Sequence, residues 1–218
     1  MIRLENVNKS FSSGFEALKN VNLHIPRGEL VFLTGHSGAG KSTMLKLILL
    51  LEQTTRGQVY VDGQSLGEIH RRSIPVFRRK IGMIFQDHCL LLDRTVFDNV
   101  ALPLVICGLS TADITKRVRA ALDRVGLLGR EKSYPMTLST GERQRVGIAR
   151  AVVHKPSIIL ADEPTGNLDP VLAQETMQLF QEFNQLGVTI LVATHNLSLI
   201  ARMRQRIITL DNGFLISE

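Results

Sequence analysis

Gly35-His36-Ser37-Gly38-Ala39-Gly40-Lys41-Ser42 carries three glycines, a lysine and two serines in eight residues. It follows the apolar run Leu30-Val31-Phe32-Leu33-Thr34 and precedes Thr43 to Leu51, which reads as a helix. Glycines let a backbone curl until successive N–H groups converge on one anion, where side chains would block the approach. A helix beginning at the end of such a loop adds its dipole. Lys41 supplies a full charge for terminal phosphates, and Ser42 offers a hydroxyl to Mg²⁺. A strand, a phosphate loop and a helix in this order predict an α/β fold.

Two further apolar runs end the same way. Ser157-Ile158-Ile159-Leu160-Ala161 runs into Asp162-Glu163, and Val188-Thr189-Ile190-Leu191-Val192-Ala193-Thr194 runs into His195. Unalternated apolar segments followed by helical ones read as buried parallel strands, and ligands gather outside the carboxyl ends of such strands. Asp162 is placed there to hold Mg²⁺ through its water shell, and Glu163 to polarise an attacking water. Taken alone, Asp-Glu-Pro also suits the opening of a turn.

Elsewhere the pattern changes. Ile2-Arg3-Leu4-Glu5-Asn6-Val7 and Val21-Asn22-Leu23-His24-Ile25 alternate, and Gln58 to Gly63 adds a short strand and turn, predicting an antiparallel β layer beside the parallel core. The middle of the chain, about 88 to 150, lacks strand signals. In Thr111 to Val125, Ile114, Val118, Ala121, Leu122 and Val125 recur at helical spacing with Lys116, Arg117, Arg119 and Arg124 opposite. This predicts a helical subdomain over 88–150, inserted in an α/β core of 1–87 and 151–218. No linker, low-complexity tract or internal repeat is evident.

Composition bounds the function. The 218 residues are 44% hydrophobic, enough for one substantial domain. No apolar run approaches the ~18–20 residues of a membrane span. The N-terminus lacks the pattern of a signal peptide, so a cytosolic or peripheral inner-face location is expected. Cys89 and Cys107 have no metal-like spacing and read as reduced thiols. The 26 basic and 20 acidic residues give +6. Arg71-Arg72, Arg78-Arg79-Lys80 and Arg202, Arg204, Arg206 suit solvated faces, anionic lipid heads or nucleotide phosphates. No aromatic residues interleave with them, which argues against nucleic acid.

The remaining motifs resemble the nucleotide-binding domains of ATP-binding-cassette proteins. Leu138-Ser139-Thr140-Gly141-Glu142-Arg143-Gln144 resembles the family signature, followed by Arg145-Val146-Gly147-Ile148-Ala149-Arg150-Ala151. Asn167-Leu168-Asp169 resembles its D-loop, Gln86 its Q-loop glutamine and His195 its switch histidine, in the family's order. The resemblance implies a P-loop NTPase (RecA-like) core that binds and hydrolyses ATP with Mg²⁺. It implies nucleotide contacts from residues 35–42, Thr43, Ser139, Gly141 and Glu142, with Phe11 stacking on adenine. Ser42, Gln86 and Asp162 then serve the metal, while Glu163 and His195 serve catalysis, His195 at the γ-phosphate. The signature faces ATP bound by a second copy, so a homodimer in the ATP-bound state is implied. Thr140 departs from the pattern, standing where a glycine is usual. It predicts an ordinary backbone or some strain, with slower hydrolysis or a weaker closed dimer.

Within the family, residues 32–43, 81–88 and 147–153 resemble a cell-division branch. That likeness implies an integral membrane partner of the FtsX type, regulation of septal cell-wall hydrolysis and a link to the cytoplasmic division ring. ATPases of lipoprotein-release and macrolide-export systems share most of the motifs. Leu90-Leu91-Leu92, beside Gln86, reads either as a partner contact or as helix core. A DNA-maintenance ATPase is disfavoured, because Lys41 to Ser139 spans only 98 positions with no sustained heptads. A catalytically dead scaffold is disfavoured by the presence of Glu163 and His195.

Overall fold

The computed structural model describes residues 1–166 and 168–217. In chain order the elements are β1 (Ile2–Ser10), β2 (Glu16–Ile25), β3 (Leu30–Thr34), α1 (Lys41–Ile48), β4 (Arg56–Val61) and β5 (Gln64–Ser65). Next come α2 (Ile74–Arg78), β6 (Ile81–Ile84), α3 (Val96–Ile106), α4 (Thr111–Arg124) and α5 (Thr140–Val152). The chain closes with β7 (Ile158–Asp162), α6 (Pro170–Gln185), β8 (Thr189–Ala193), α7 (Leu197–Met203), β9 (Arg206–Asp211) and β10 (Phe214–Ser217).

The strands form two sheets. One is antiparallel, in the order β2-β1-β4-β5. The other runs β10-β9-β3-β8-β7-β6, parallel throughout except for β10. The apolar runs of the central strands have a direct cause. In β3, Val31 and Leu33 enter the core shared with the antiparallel sheet, while Leu30 and Phe32 enter the core beneath the helices. In β7, Ile158 and Leu160 go one way, Ile159 and Ala161 the other; in β8, Leu191 and Ala193 oppose Ile190 and Val192. With both faces covered, neither face leaves room for polar alternation.

In the antiparallel sheet the alternation slips and recovers. Ile2 and Leu4 are buried, and the next inward residue is Val7, three positions on. Asn6 adopts a left-handed φ of 48°, and the register with both neighbours shifts there. The extra residue is a β-bulge that returns Val7 to the core face.

α1 differs from the expected Thr43 to Leu51. It begins at Lys41 and stops at Ile48, because Leu50 turns left-handed at φ 55°. The freed carbonyls of Leu49 and Leu50 accept hydrogen bonds from the Arg78 guanidinium, at 3.0 and 2.6 Å. Arg78 is therefore a helix-end partner rather than a solvated charge. α4 carries its expected apolar face, with Val118 and Leu122 fully buried and Ile114 and Ala121 packed beside them. Among the described residues no helix is long and apolar enough to cross a membrane, and Cys89 and Cys107 are free thiols.

Candidate functional site

The loop after β3 is shaped from behind. A Cβ on Gly35, at φ 144°, would lie 2.1 Å from the carbonyl oxygen of Leu210, and one on Gly40, at φ 110°, 2.4 Å from that of Ala17. These two glycines are required by the scaffold that the loop rests on, whatever sits in front of it. The Lys41 ammonium is buried and donates to the carbonyls of Gly35 (2.7 Å) and His36 (3.1 Å), closing the loop on itself. The N-terminus of α1 has no side-chain cap and no acidic residue in its first turn. Its open N–H groups are suited to an anion.

Asp162 ends β7 beside this loop. Burial pushes its carboxyl above the ordinary value, against the smaller opposing effect of a hydrogen bond from Ser42. Its Oδ1 is buried without a hydrogen-bond partner. Glu163 follows in a left-handed backbone, φ 47°, with its N–H held by the Ala193 carbonyl at 2.8 Å. Such a conformation is costly for a non-glycine residue and persists where the surroundings enforce it. Oε1 of Glu163 sits 2.7 Å from Nδ1 of His195, whereas Oε2 is buried with no partner. His195 itself is exposed, at 68% for the side chain. Asp162 and Glu163, which line one cleft, thus each keep a carboxylate oxygen without a partner, which fits a cation and a water as the missing partners. Among the described residues there is no group of three or more His, Cys, Asp or Glu placed to hold a metal.

A cleft of about 520 Å³ gathers these groups, with Lys41, Ser42, Thr43, Gln86, Asp162, Glu163 and His195 on its walls beside His36, Ser37, Gly38 and Gly40. The aromatic ring on the wall is Phe15, half exposed, and not Phe11. Phe11 is partly buried with the Lys9 ammonium 4.8 Å above its ring. Phe15 and Phe11 are linked through the turn, the Phe15 carbonyl accepting from the Phe11 N–H at 2.9 Å.

The signature residues do not reach this cleft. Ser139 caps α5: its Oγ accepts from the Glu142 N–H at 3.2 Å, and the Glu142 carboxylate accepts from the Ser139 N–H at 2.9 Å. This reciprocal capping box, with Arg130 3.3 Å away, holds the Glu142 carboxyl below its usual range. Thr140 is the first helical residue and is absent from the left-handed set, so its backbone is ordinary. Gly141 is buried; a Cβ there would come within 2.7 Å of Leu172 Cδ1. Asn167 lies outside the described residues, while Asp169 caps α6 through the N–H groups of Val171 and Leu172.

Gln86 lines a second cleft as well, about 620 Å³, which runs past His88 and Cys89 to Thr140 and Arg143. It therefore stands between the loop cleft and the start of α5. The turn after it is held open in a left-handed pair, His88 at φ 58° and Cys89 at φ 48°, whose carbonyls accept from the Arg150 guanidinium at 2.5 and 2.6 Å. Arg150 is not distinguished in the sequence from other surface-capable arginines. The turn joining β9 and β10 also braces the loop, with the Gly213 N–H donating to the Ala39 carbonyl at 3.2 Å. Its Asn212-Gly213 pair is a strong hairpin signal.

Comparison with known proteins agrees with this geometry. The chain is 56% identical over 215 residues to the cell division ATP-binding protein FtsE of Escherichia coli (strain K12), covering 99% of this chain and 97% of that one. It is 42% identical over 218 residues to the protein of the same name from Bacillus subtilis (strain 168), covering 100% and 96%. Among solved structures it resembles the dimeric bacterial ABC transporter cassette MJ0796, with a TM-score of 0.92, 41% identity, and 99% and 96% of the two chains covered. The post-hydrolysis dimer of that cassette bound to ADP and Pi matches with the same TM-score, at 39% identity, covering 100% and 98%. Residues 18–166 match the family model described as ABC transporter. A phosphate loop, an aligned acid pair and a capped signature helix, in a chain matched along its length by such cassettes, place it in the ABC transporter family as an ATP-hydrolysing member.

Proposed function

We propose that the chain is the ATP-hydrolysing subunit of a bacterial cell-division ABC complex. It dimerises on ATP at the cytoplasmic face of the inner membrane, docks on an integral membrane partner of the FtsX type, and so regulates septal cell-wall hydrolysis. The observation that carries the reading is the convergence of Lys41, Ser42, Asp162, Glu163 and His195 on one cleft, in a chain whose relatives are named cell division ATP-binding proteins.

In this reading Lys41 leaves the carbonyls of Gly35 and His36 for the terminal phosphates, and the open N–H groups of α1 complete the cradle. Ser42, Asp162 and Gln86 hold Mg²⁺, for which the orphaned Asp162 Oδ1 is the fitting acceptor. The cation, when bound, offsets negative charge on the phosphate oxygens. Glu163 orients the attacking water with Oε2, its free oxygen, while His195 holds Oε1. Ser139, Gly141 and Glu142 serve the ATP of the second copy, which agrees with their absence from the walls of the chain's own cleft. Phe15, with Phe11 behind it in the same turn, offers the aromatic platform for adenine.

Docking falls to the helical region of residues 88–150 and, within it, to Leu91 and Leu92. Leu90 packs into the helical core, leaving Leu91 and Leu92 exposed at 42% and 55%. They are held in place from below: the fully buried Asn99 amide accepts from the Leu91 N–H at 2.8 Å and donates to its carbonyl at 3.0 Å. Charging both leucines is expected to abolish membrane recruitment with the fold intact.

The test of the whole reading is Glu163→Gln. ATP binding is retained, turnover falls by about 10²–10⁴-fold, and an ATP-bound dimer accumulates on light scattering. Hydrolysis at the wild-type rate would remove Glu163 from this role. Co-purification from membranes identifies the partner, and recovery of a lipoprotein-release or export permease instead of an FtsX-type protein would overturn the cell-division assignment.

A further inference from the structure

We propose that Arg150 is a positioning residue for Gln86, fixing its place in the loop cleft by clamping the turn that follows it. Gln86 leads directly into that turn. On one side of it the Phe85 carbonyl accepts from the His88 N–H at 3.1 Å, and on the other the Asp87 carbonyl accepts from the Cys89 N–H at 2.6 Å. The two residues that close the turn, His88 and Cys89, are both left-handed, at φ 58° and 48°. Glycine takes this conformation freely, whereas a side chain there crowds the following carbonyl. Two such residues in succession persist only where the surroundings enforce them.

The enforcing group is Arg150. One nitrogen of its guanidinium donates to the His88 carbonyl at 2.5 Å and another to the Cys89 carbonyl at 2.6 Å. A planar fork of N–H donors matches two successive carbonyls, which the single ammonium of a lysine does not reproduce. Among the described residues these carbonyls are its hydrogen-bond partners, and no carboxylate pairs with it. The charge therefore serves the turn and not an ion pair.

Arg150 lies near the end of α5, the helix whose start is capped by Ser139. Thr140 and Arg143, at that start, line one cleft with Gln86, His88 and Cys89. The turn thus meets α5 twice, across a cleft at its beginning and through hydrogen bonds near its end. Gln86 also lines the cleft that holds Lys41, Ser42 and Asp162. A turn clamped to α5 keeps its register with that helix, and Gln86 keeps it too. The inference rests on Gln86 serving the metal in the loop cleft, as proposed above.

The experiment is a double-mutant cycle on Gln86 and Arg150, read as kcat and as the Mg²⁺ concentration giving half-maximal rate. Gln86→Ala is expected to lower kcat about tenfold and to raise that concentration, and Arg150→Gln to do both with a loss of about fivefold in kcat. The double variant is expected to stay within about twofold of Gln86→Ala, because Arg150 then has no Gln86 to place. A double loss equal to the product of the single losses overturns the proposal. Adding Cys89→Gly to Arg150→Gln removes the strain at an exposed side chain, and is expected to recover kcat about twofold to threefold. Lost packing of α5 would not be recovered by a glycine in the turn, so no recovery overturns the clamp. Without nucleotide or Mg²⁺, the amides of His88 and Cys89 are expected to exchange hydrogen about tenfold faster in Arg150→Gln, with those of β3 and β7 unchanged. Unaltered exchange in the turn overturns the clamp directly. Arg150→Lys, which keeps the charge and loses the fork, provides the same cycle where Arg150→Gln does not fold. Wild-type kcat and Mg²⁺ dependence in Gln86→Ala would overturn the metal role of Gln86 itself, and with it the placing assigned to Arg150.

Discussion

Nδ1 of His195 lies 2.7 Å from Oε1 of Glu163, joining the carboxyl end of β8 to that of β7. A carboxylate only accepts, so Nδ1 donates, and Nε2 is the ring nitrogen that this bond leaves for another partner. The bond fixes the direction of a glutamate whose backbone is already in a costly conformation. His195→Ala is expected to lower kcat about tenfold to a hundredfold through misplacement of Glu163, with the ATP dissociation constant changed less than about threefold. Single-turnover hydrolysis and equilibrium binding measure the two separately, and an equal loss in both would assign His195 to binding.

Asp162 bears on stability with a definite sign. Burial raises its carboxyl above the ordinary value, so the folded chain keeps that proton to a higher pH than the unfolded chain does. Between the unfolded value, near ~4, and the raised one, stability falls as pH increases, and above it the charged carboxylate remains a penalty. Asp162→Asn is therefore expected to raise the melting temperature near neutral pH by roughly 2–4 °C while abolishing hydrolysis. Thermal melts without nucleotide test this. A lowered melting temperature would mean that the carboxylate has a stabilising partner in the folded chain.

Two phenylalanines compete for one role, and the structure separates them. Phe15 is on the cleft wall; Phe11 is engaged beneath Lys9. If adenine stacks on Phe15, Phe15→Ala raises the ATP KM about fivefold to tenfold, whereas Phe11→Ala acts chiefly on stability. The reverse ranking in steady-state kinetics would restore Phe11 as the platform and imply that the turn rearranges around the base.

How much of this was legible depended on what local spacing encodes. The parallel strands β3, β7 and β8 were plain because burial on both faces leaves uninterrupted apolar runs, and the acid pair and His195 sit at their ends. β6 gives little strand signal: it is four residues long and contains Gly82, where a Cβ would stand 2.3 Å from the Ala151 carbonyl. β9 was hidden by reading Arg202, Arg204 and Arg206 as a charge run. In the fold Arg206 donates to the His24 carbonyl and to Glu29, at 2.9 and 3.2 Å, so that arginine ties the sheets together. Phe15 stands four residues from Phe11, and only the turn between β1 and β2 decides which ring faces the cleft. The left-handed backbone of Glu163 leaves no mark on composition or period. It follows from long-range packing that holds its N–H against Ala193.

The signature's departure at Thr140 resolves into two expectations of opposite kind. Thr140 is the first residue of α5, right-handed, with its hydroxyl accepting from Arg143 at 3.2 Å. A glycine there gains no needed freedom and loses helix propensity, so Thr140→Gly should destabilise the fold by up to about 1 kcal/mol and leave hydrolysis within about twofold. Gly141 is the position with no room. An added methyl meets Leu172 at 2.7 Å, near the start of α6, and Leu168 lies 3.8 Å away on the same side. Leu172 is a flexible side chain, so Gly141→Ala should cost about 1–3 kcal/mol by overpacking rather than unfold the chain. The same methyl displaces the start of α5 relative to α6, where the second copy is expected to bind. ATP-dependent dimerisation should therefore weaken in Gly141→Ala more than in Thr140→Gly, measured by light scattering in the Glu163→Gln background. Equal weakening would show that residue 140, despite its ordinary backbone, sets the dimer contact.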